Sequence, residues 1–213
     1  MSAHANTDVV QPTSFAFSAE NLEKAKKIIA RYPEGRQPSA VMPLLDMAQR
    51  QEGWISRVAM DVIAGMLDMA PIRVYEVATF YTMYNLQPVG KHLIQICRTT
   101  PCWLRGSDGL TDYLKKRLGV GMKEVTKDGL FSMMEVECLG ACCNAPMVQI
   151  NDDFYEDLTP ETLGKVLDEL AAGRKPKTGP QNGRRGSMAE GGQTTLKEIP
   201  LSYDMSPDLA GGK

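Results

Sequence analysis

The chain has 213 residues, an ordinary hydrophobic content of 43% and a net charge of −2. A charge so close to zero gives no reason to expect binding to nucleic acid or to an anionic membrane surface. No apolar stretch approaches the roughly 18–20 residues that span a bilayer, and the first residues lack the pattern of a secretory signal. We therefore expect an intracellular protein without direct membrane insertion, whose membrane contacts come through partners.

Residues 18–88 show the spacing of apolar residues that is typical of short helices. Four helical stripes begin after Ser18, near Ser39, after Ser56 and at Pro71. Serine is a good N-cap and proline fits the first position of a helix, while Pro33 and Gly53 end the first two stripes. Short helices joined by short turns predict an antiparallel bundle, preceded by a mobile leader over residues 1–17.

The pattern changes after residue 88 to short apolar runs that alternate with helical spacing. The predicted elements are a strand HLIQIC ending at Cys97, a helix ended by Gly119, a strand LFSMMEVEC ending at Cys138, a hairpin around Asn151-Asp152 and a helix capped by Thr159. This order predicts a thioredoxin-like α/β layer over residues 89–173, so the whole chain belongs to the α+β class. Residues 174–213 are rich in Gly, Pro and polar residues, which predicts an extended tail, disordered alone or ordered by wrapping a partner.

Four of the five cysteines form two pairs, Cys97-x4-Cys102 and Cys138-x3-Cys142. Each pair follows the end of a predicted strand. If the two strands are neighbours, both loops emerge at the same end of the sheet and the four sulfurs can converge. Thiolates are soft ligands, so a four-thiolate site narrows the occupant to an iron–sulfur cluster or zinc. Cys143 directly follows a candidate ligand, and we expect it to be a buried or spare thiol.

The spacing favours an iron–sulfur cluster and leaves zinc open, because structural zinc sites usually have a two-residue spacer in at least one pair. The side chains of Thr99 and Thr100 and the loop N–H groups can donate to sulfur, and Arg98 can add positive charge. Gly140 permits a tight loop. Pro146 occupies the place where thioredoxin-like folds often carry a cis proline.

Three longer stretches resemble a known family. EVATFYTMYNLQPVGKH, the Cys97-x4-Cys102-Trp segment, and ECLGAC followed by NAPMVQINDDFYEDLTPE closely resemble the small [2Fe–2S] subunit (24 kDa type) of respiratory NADH:quinone oxidoreductase, complex I. The resemblance implies an N-terminal helical bundle followed by a thioredoxin-like domain. It also implies that Cys97, Cys102, Cys138 and Cys142 bind one [2Fe–2S] cluster, the cluster conventionally called N1a. Cys143 departs from the apolar residue expected at its position.

The same resemblance implies a role in the electron transport of a respiratory chain. The partner would be the flavoprotein subunit that binds FMN and NADH and carries a [4Fe–4S] cluster, within the peripheral arm of a proton-pumping translocase. The expected location is the cytoplasmic side of a bacterial inner membrane, or the matrix side in mitochondria. This chain has no recognisable nucleophile–base pair, phosphate loop or dinucleotide fingerprint, so we expect no substrate site on it.

Two alternatives stay open at this point. The equivalent subunit of a soluble NAD-linked hydrogenase or formate dehydrogenase would use the same fold and ligands. A zinc-stapled assembly module would have no redox role. The aromatic residues Phe80, Tyr81 and Tyr84 are expected either to pack in the core or to face the flavoprotein partner.

Overall fold

The computed structural model describes residues 9–189, 191–192 and 194–195. The predicted leader and the predicted tail therefore lie partly outside the described residues. Within this part of the chain, none of the helices combines the length and the apolar character that crossing a bilayer requires.

The helical bundle forms as its local signals predict. Its helices are α1 (Ala19–Ile29), α2 (Val41–Glu52), α3 (Arg57–Met66) and α4 (Pro71–Phe80), with a 3-10 turn at Gln37–Ala40 ahead of α2. The hydroxyls of Ser18 and Ser56 each accept a backbone N–H of the first turn, at 3.2 Å. Gly53 ends α2 in the left-handed conformation, with a φ of 81°, and Pro71 opens α4. The signals at Ser18, Ser56, Gly53 and Pro71 are thus confirmed. α1 ends at Ile29, ahead of Pro33, and α2 begins at Val41 after the 3-10 turn that contains Ser39.

Aromatic side chains ahead of α1 join the bundle core. Phe17 is buried there and Phe15 packs beside it, with the two ring centroids 5.0 Å apart in an edge-to-face arrangement. Both residues belong to the predicted leader 1–17. The end of the predicted leader is therefore held in place, because its two aromatic rings contribute apolar surface to the core. The domain boundaries themselves stay predictions.

The second half of the chain forms one mixed sheet. Its strands are β1 (His92–Cys97), β2 (Phe131–Val136), β3 (Val148–Ile150), β4 (Asp153–Glu156) and β5 (Gly179–Pro180). The spatial order is β2-β1-β3-β4-β5, with β1 parallel to β2 and antiparallel to β3. The predicted hairpin is confirmed as the antiparallel pair β3–β4.

Three helices accompany the sheet: α5 (Thr100–Leu104), α6 (Ser107–Leu118) and α7 (Pro160–Ala171). Leu110 and Leu114 of α6 and Leu163 of α7 share one buried core with Ile94 and Ile96 of β1. The next residue along β1 is a cysteine, which by strand alternation belongs to the opposite face. Because these helices pack on one face of the sheet, the sulfur of Cys97 lies on the other face.

The tail differs from the extended segment that its composition predicts. β5 lies within the predicted tail 174–213 and pairs in parallel with β4, Gly179 opposite Tyr155. Few apolar residues mark this segment, and its contacts are backbone pairings and polar side chains that periodicity does not reveal. The described part of the tail therefore folds back onto the sheet.

Gly90 sets the approach of the chain to the sheet, so its substitution should cost stability. A Cβ there would lie 2.5 Å from the carbonyl carbon of Phe131, while the N–H of Gly90 donates to the buried Ser132 hydroxyl at 3.0 Å. We expect Gly90→Ala to lower the free energy of unfolding by about 1–3 kcal/mol, measured by chemical denaturation. Gly65→Ala is the matched control, since Gly65 is an exposed position of α3 where a Cβ meets nothing within 4 Å, and it should stabilise by about 0.5–1 kcal/mol. Equal stability of Gly90→Ala and the wild type would contradict the close approach.

Candidate metal centre

Parallel pairing brings the two cysteine loops to one edge of the sheet. Cys97 is the last residue of β1 and stands opposite Val136, the last residue of β2. Cys102 follows in α5, and Cys138 lies in the loop two residues beyond β2. Cys142 opens a 3-10 turn, Cys142–Asn144. The prediction that the two strands are neighbours, with both loops at one end, is confirmed.

The inner pair, Cys97 and Cys102, is buried, each residue being 1% exposed. The two thiols lie in a small apolar cluster with Ala145 and Met147. Burial disfavours both thiolates, and it raises the pKa of Cys102 to about 12. For Cys97 burial is outweighed by hydrogen bonds from Thr99, a backbone N–H and Cys102, so the pKa of Cys97 is lowered. A second thiolate in the inner pair is thus disfavoured, because burial and the contact with Cys97 both raise the pKa of Cys102.

The outer pair, Cys138 and Cys142, is exposed, and its two sulfurs are 3.5 Å apart. The Gly140 N–H donates to the Cys138 sulfur at 3.4 Å, from a backbone with a φ of 85° that favours glycine. This bond, followed by that of Cys142, lowers the pKa of Cys138, whereas the hydrogen bond to Cys138 raises the pKa of Cys142. The tight turn therefore aims a donor at sulfur.

Thr99 connects the two pairs. Its hydroxyl oxygen lies 3.4 Å from the Cys97 sulfur, and the same side chain lowers the pKa of Cys138 by hydrogen bonding. Arg98 is expected from the sequence to add positive charge near the sulfurs. Its guanidinium is instead 2.8 Å from the Glu135 carboxylate, which offsets that charge. Polar tuning of the sulfurs therefore comes from a hydroxyl and from backbone N–H groups more than from a free cation.

The four sulfurs are arranged as two pairs, the inner pair and the outer pair. Within the ranges that the structure describes, no group of three or more His, Cys, Asp and Glu side chains is arranged to hold one metal ion. A [2Fe–2S] cluster needs only two thiolates at each of its irons. The donor set of four thiols in two pairs, with hydroxyl and N–H donors beside them, fits such a cluster.

The loop beyond Cys142 holds two residues that the sequence singled out, and it contacts a polar network that the sequence did not reveal. The structure shows Cys143 as an exposed thiol, so it is spare and not buried. The Ala145–Pro146 bond is cis, as predicted. Sequence reasoning missed the polar network of Asn144, Asp157 and Arg184, whose members are far apart in the chain. The position of Asn144 two residues after Cys142 was the one available signal, and it does not indicate Asp157 or Arg184.

Comparison with known proteins gives concordant matches. A family model described as thioredoxin-like [2Fe–2S] ferredoxin matches residues 25–171. An NADH-quinone oxidoreductase subunit from Rickettsia bellii (strain RML369-C) is 57% identical over 159 residues, which cover 74% of this chain and 95% of that protein. The mitochondrial NADH dehydrogenase [ubiquinone] flavoprotein 2 of Dictyostelium discoideum is 47% identical over 211 residues, 98% of this chain and 85% of that protein.

Among solved structures, an NAD+-reducing [NiFe]-hydrogenase in the air-oxidized state has a similar fold. The TM-score is 0.56 at 16% identity, and the match covers 63% of this chain and 23% of the hydrogenase chain. At this identity the likeness concerns the fold alone.

Burial and thiol pKa predict the order in which the metal-free protein is alkylated. Because only the thiolate reacts, we expect iodoacetamide at neutral pH to label Cys138 faster than Cys142, with Cys97 and Cys102 protected. The gap between the outer two should narrow only well above the ordinary thiol pKa, because the pKa of Cys142 is raised and its thiol ionises late. Mass spectrometry of labelled peptides over time measures each rate, with exposed Cys143 as the internal reference. Labelling of the inner pair as fast as Cys138 would contradict the described burial.

Proposed function

Since the chain belongs to the thioredoxin-like [2Fe–2S] ferredoxin family, we propose that it is an electron-transfer subunit of an NADH:quinone oxidoreductase. In this proposal Cys97, Cys102, Cys138 and Cys142 hold one [2Fe–2S] cluster. The observation that carries the proposal is that both sulfur pairs lie at the shared end of β1 and β2. Two relatives support it: one at 57% identity is named an NADH-quinone oxidoreductase subunit, and one at 47% identity is named an NADH dehydrogenase [ubiquinone] flavoprotein.

The residues around the sulfurs suit a redox cluster. A bound cluster would accept and release one electron at a time, and it would exchange that electron with the FMN of a partner subunit. Hydrogen bonds to sulfur and solvent exposure are the features that tune the potential of such clusters. Thr99 and the Gly140 N–H provide the hydrogen bonds, while the buried inner pair and the exposed outer pair give the two irons different surroundings.

The partner in this proposal is the flavoprotein subunit that binds FMN and NADH and carries a [4Fe–4S] cluster, together with further subunits of the peripheral arm of complex I. NADH binding and quinone reduction then belong to other chains, and this one has no substrate site. The assembly would be a translocase of the respiratory chain, with this subunit peripheral on the cytoplasmic side of a bacterial inner membrane. The names of the relatives support the NADH and quinone parts of this assignment.

A surface at the end of α4 suits a protein partner. Phe80 is 77% exposed, and Tyr81 and Met83 are also exposed, with the rings of Phe80 and Tyr81 in edge-to-face contact. Tyr84, by contrast, is 5% exposed and donates its hydroxyl to the carbonyl oxygen of Met42 at 3.0 Å. We therefore assign Tyr84 to the core and propose the other three as a contact with the flavoprotein subunit.

A second candidate is the equivalent subunit of an NAD-linked hydrogenase. The reason to consider it is the similar fold of an NAD+-reducing [NiFe]-hydrogenase. The much higher identity to NADH-quinone oxidoreductase subunits favours the first candidate. Membranes that oxidise NADH with quinone would support the first candidate, if this activity is lost when the gene is deleted and returns when the gene is restored. Hydrogen- or formate-coupled reduction of NAD+ in the soluble fraction would support the second.

Single cysteine substitutions test the ligand set. We expect anaerobically purified wild-type protein to contain two irons and two acid-labile sulfides per chain, as one [2Fe–2S] cluster requires. Cys102→Ser should lose most of this iron and sulfide, because the hard hydroxyl is a poor substitute for a soft thiolate. Cys143→Ser is the matched control and should keep the full content. Metal and sulfide analysis, with an EPR spectrum after dithionite reduction, provides the measurement.

The same analysis decides between iron–sulfur and zinc. One zinc per chain without sulfide, in protein made with iron available, would make the site a structural staple and reject electron transfer. If Cys143→Ser lost as much iron as Cys102→Ser, the assigned ligand set would be rejected. The proposal that the wild-type chain binds a [2Fe–2S] cluster would remain.

Substitutions at the end of α4 test the contact with the flavoprotein. We expect Phe80→Ala to weaken binding to the flavoprotein subunit at least tenfold, about 1.4 kcal/mol, and to leave the melting temperature of the isolated chain unchanged. Tyr84→Ala should instead lower the free energy of unfolding by about 3–5 kcal/mol, since it empties a core site. Titration calorimetry and thermal denaturation measure the two effects. Wild-type affinity in Phe80→Ala would remove this surface from the interface.

A further inference from the structure

Residues 179–188 return from the C-terminal side of α7 and lie against the loop that carries the outer cysteine pair. We infer that this segment, here called the tail clasp, holds the outer loop in its metal-binding arrangement and that Arg184 is its positioning residue. The inference rests on the proposed [2Fe–2S] function and adds a long-range determinant of cluster retention to it.

The tail clasp is fastened to the sheet before it reaches the loop. Gly179 and Pro180 pair with β4, and the Gln181 N–H donates to the Glu156 carbonyl at 3.0 Å. The Asn182 side chain then accepts the backbone N–H of Arg184 at 2.9 Å, which turns the chain toward the outer loop. Backbone pairing therefore sets where the guanidinium enters.

Arg184 binds three separate parts of the structure. One terminal nitrogen, Nη2, donates to the Asp157 carboxylate at 2.6 Å. The other, Nη1, donates to the Cys143 carbonyl at 3.0 Å, to the Asn144 side-chain oxygen at 3.3 Å and to the Met188 carbonyl at 3.4 Å. The side chains of Arg184 and Asp157 are only 9% and 3% exposed. A nearly buried guanidinium thus ties the end of the sheet to the residue directly after Cys142.

Asn144 is held from the other side as well. Its side-chain N–H groups donate to the Gly186 carbonyl at 3.0 Å and to the Glu156 carboxylate. Its backbone carbonyl accepts the Asp157 N–H at 2.8 Å. The clasp and β4 therefore enclose Asn144 between them, two residues beyond Cys142.

The outer pair has more need of such support than the inner pair. Cys97 and Cys102 are enclosed by apolar side chains, whereas Cys138 and Cys142 are exposed. An exposed loop keeps two sulfurs at one iron only if its backbone is fixed by hydrogen bonds. Loosening the clasp should let one outer sulfur detach more often, so that iron is lost to a chelator more readily.

Charge-conserving and charge-removing variants separate positioning from general stability. Arg184→Gln removes the cation that pairs with the buried Asp157 carboxylate at 2.6 Å. Arg184→Lys keeps the charge but lacks the fork that spans several acceptors. Arg174→Gln is the matched control, because Arg174 lies in the same tail but pairs with Glu169 at the surface. All variants are made in the full chain and purified anaerobically with the cluster.

The first readout is the rate at which excess iron chelator bleaches the cluster, measured well below the melting temperature of each variant. Outer-shell substitutions commonly cost 10–100-fold in metal affinity, and we expect iron loss in Arg184→Gln to accelerate by about that factor. Arg184→Lys should lie between this variant and the wild type, and Arg174→Gln should match the wild type. If Arg184→Gln does not fold, Arg184→Lys decides the question. A folded Arg184→Lys with the wild-type rate would overturn the inference.

The second readout needs no cluster. In the metal-free protein, hydrogen exchange at the Asn144 amide, which donates to the Ala141 carbonyl at 3.0 Å, should be faster in Arg184→Lys, with core amides of β1 unchanged. Unchanged exchange would refute the clasp, and equal acceleration throughout the domain would reduce it to a general stabiliser. A wild-type chain that contains zinc would reject the proposed function, while the exchange experiment would still test the clasp.

Discussion

The parallel pairing of β1 with β2 is the constraint on which the site depends, because it sends both cysteine loops out at one edge. A crossover through α6 is what allows two parallel strands to be neighbours. With Cys97 opposite Val136, the last residues of both strands are level. A register shift of one residue would turn the side chain of Cys97 to the helix-covered face and separate it from Cys138.

The two sulfur pairs are held by different kinds of interaction. Apolar packing by Ala145 and Met147 encloses the inner pair. The outer pair is ordered by hydrogen bonds, those of Gly140 within its own loop and those of Arg184 from the tail. The site thus combines one rigid, dry half with one exposed half whose order depends on polar contacts.

Local chemistry makes much of this architecture predictable. Ser18 and Ser56 as caps and Pro71 as a first helical residue are signals read within one turn, and apolar runs that end at cysteines mark β1 and β2. The short helix α5 cannot be distinguished from its loop by pattern, since five residues show no period. The Arg184 network is not predictable either, because its partners are tens of residues distant and the tail composition indicates no packing. Exposure likewise depends on tertiary contacts, which is why the sequence alone does not place the spare thiol Cys143 on the surface.

The position of the clasp in the chain imposes an order in time during synthesis. Arg184 is about 40 residues downstream of Cys142. At typical elongation rates it is added roughly 2–8 s after the last cysteine of the site. During that interval a nascent chain has all four thiols and the strands that align them, but not the segment that closes over the outer loop. The tail clasp is therefore the last part of this site to be synthesised.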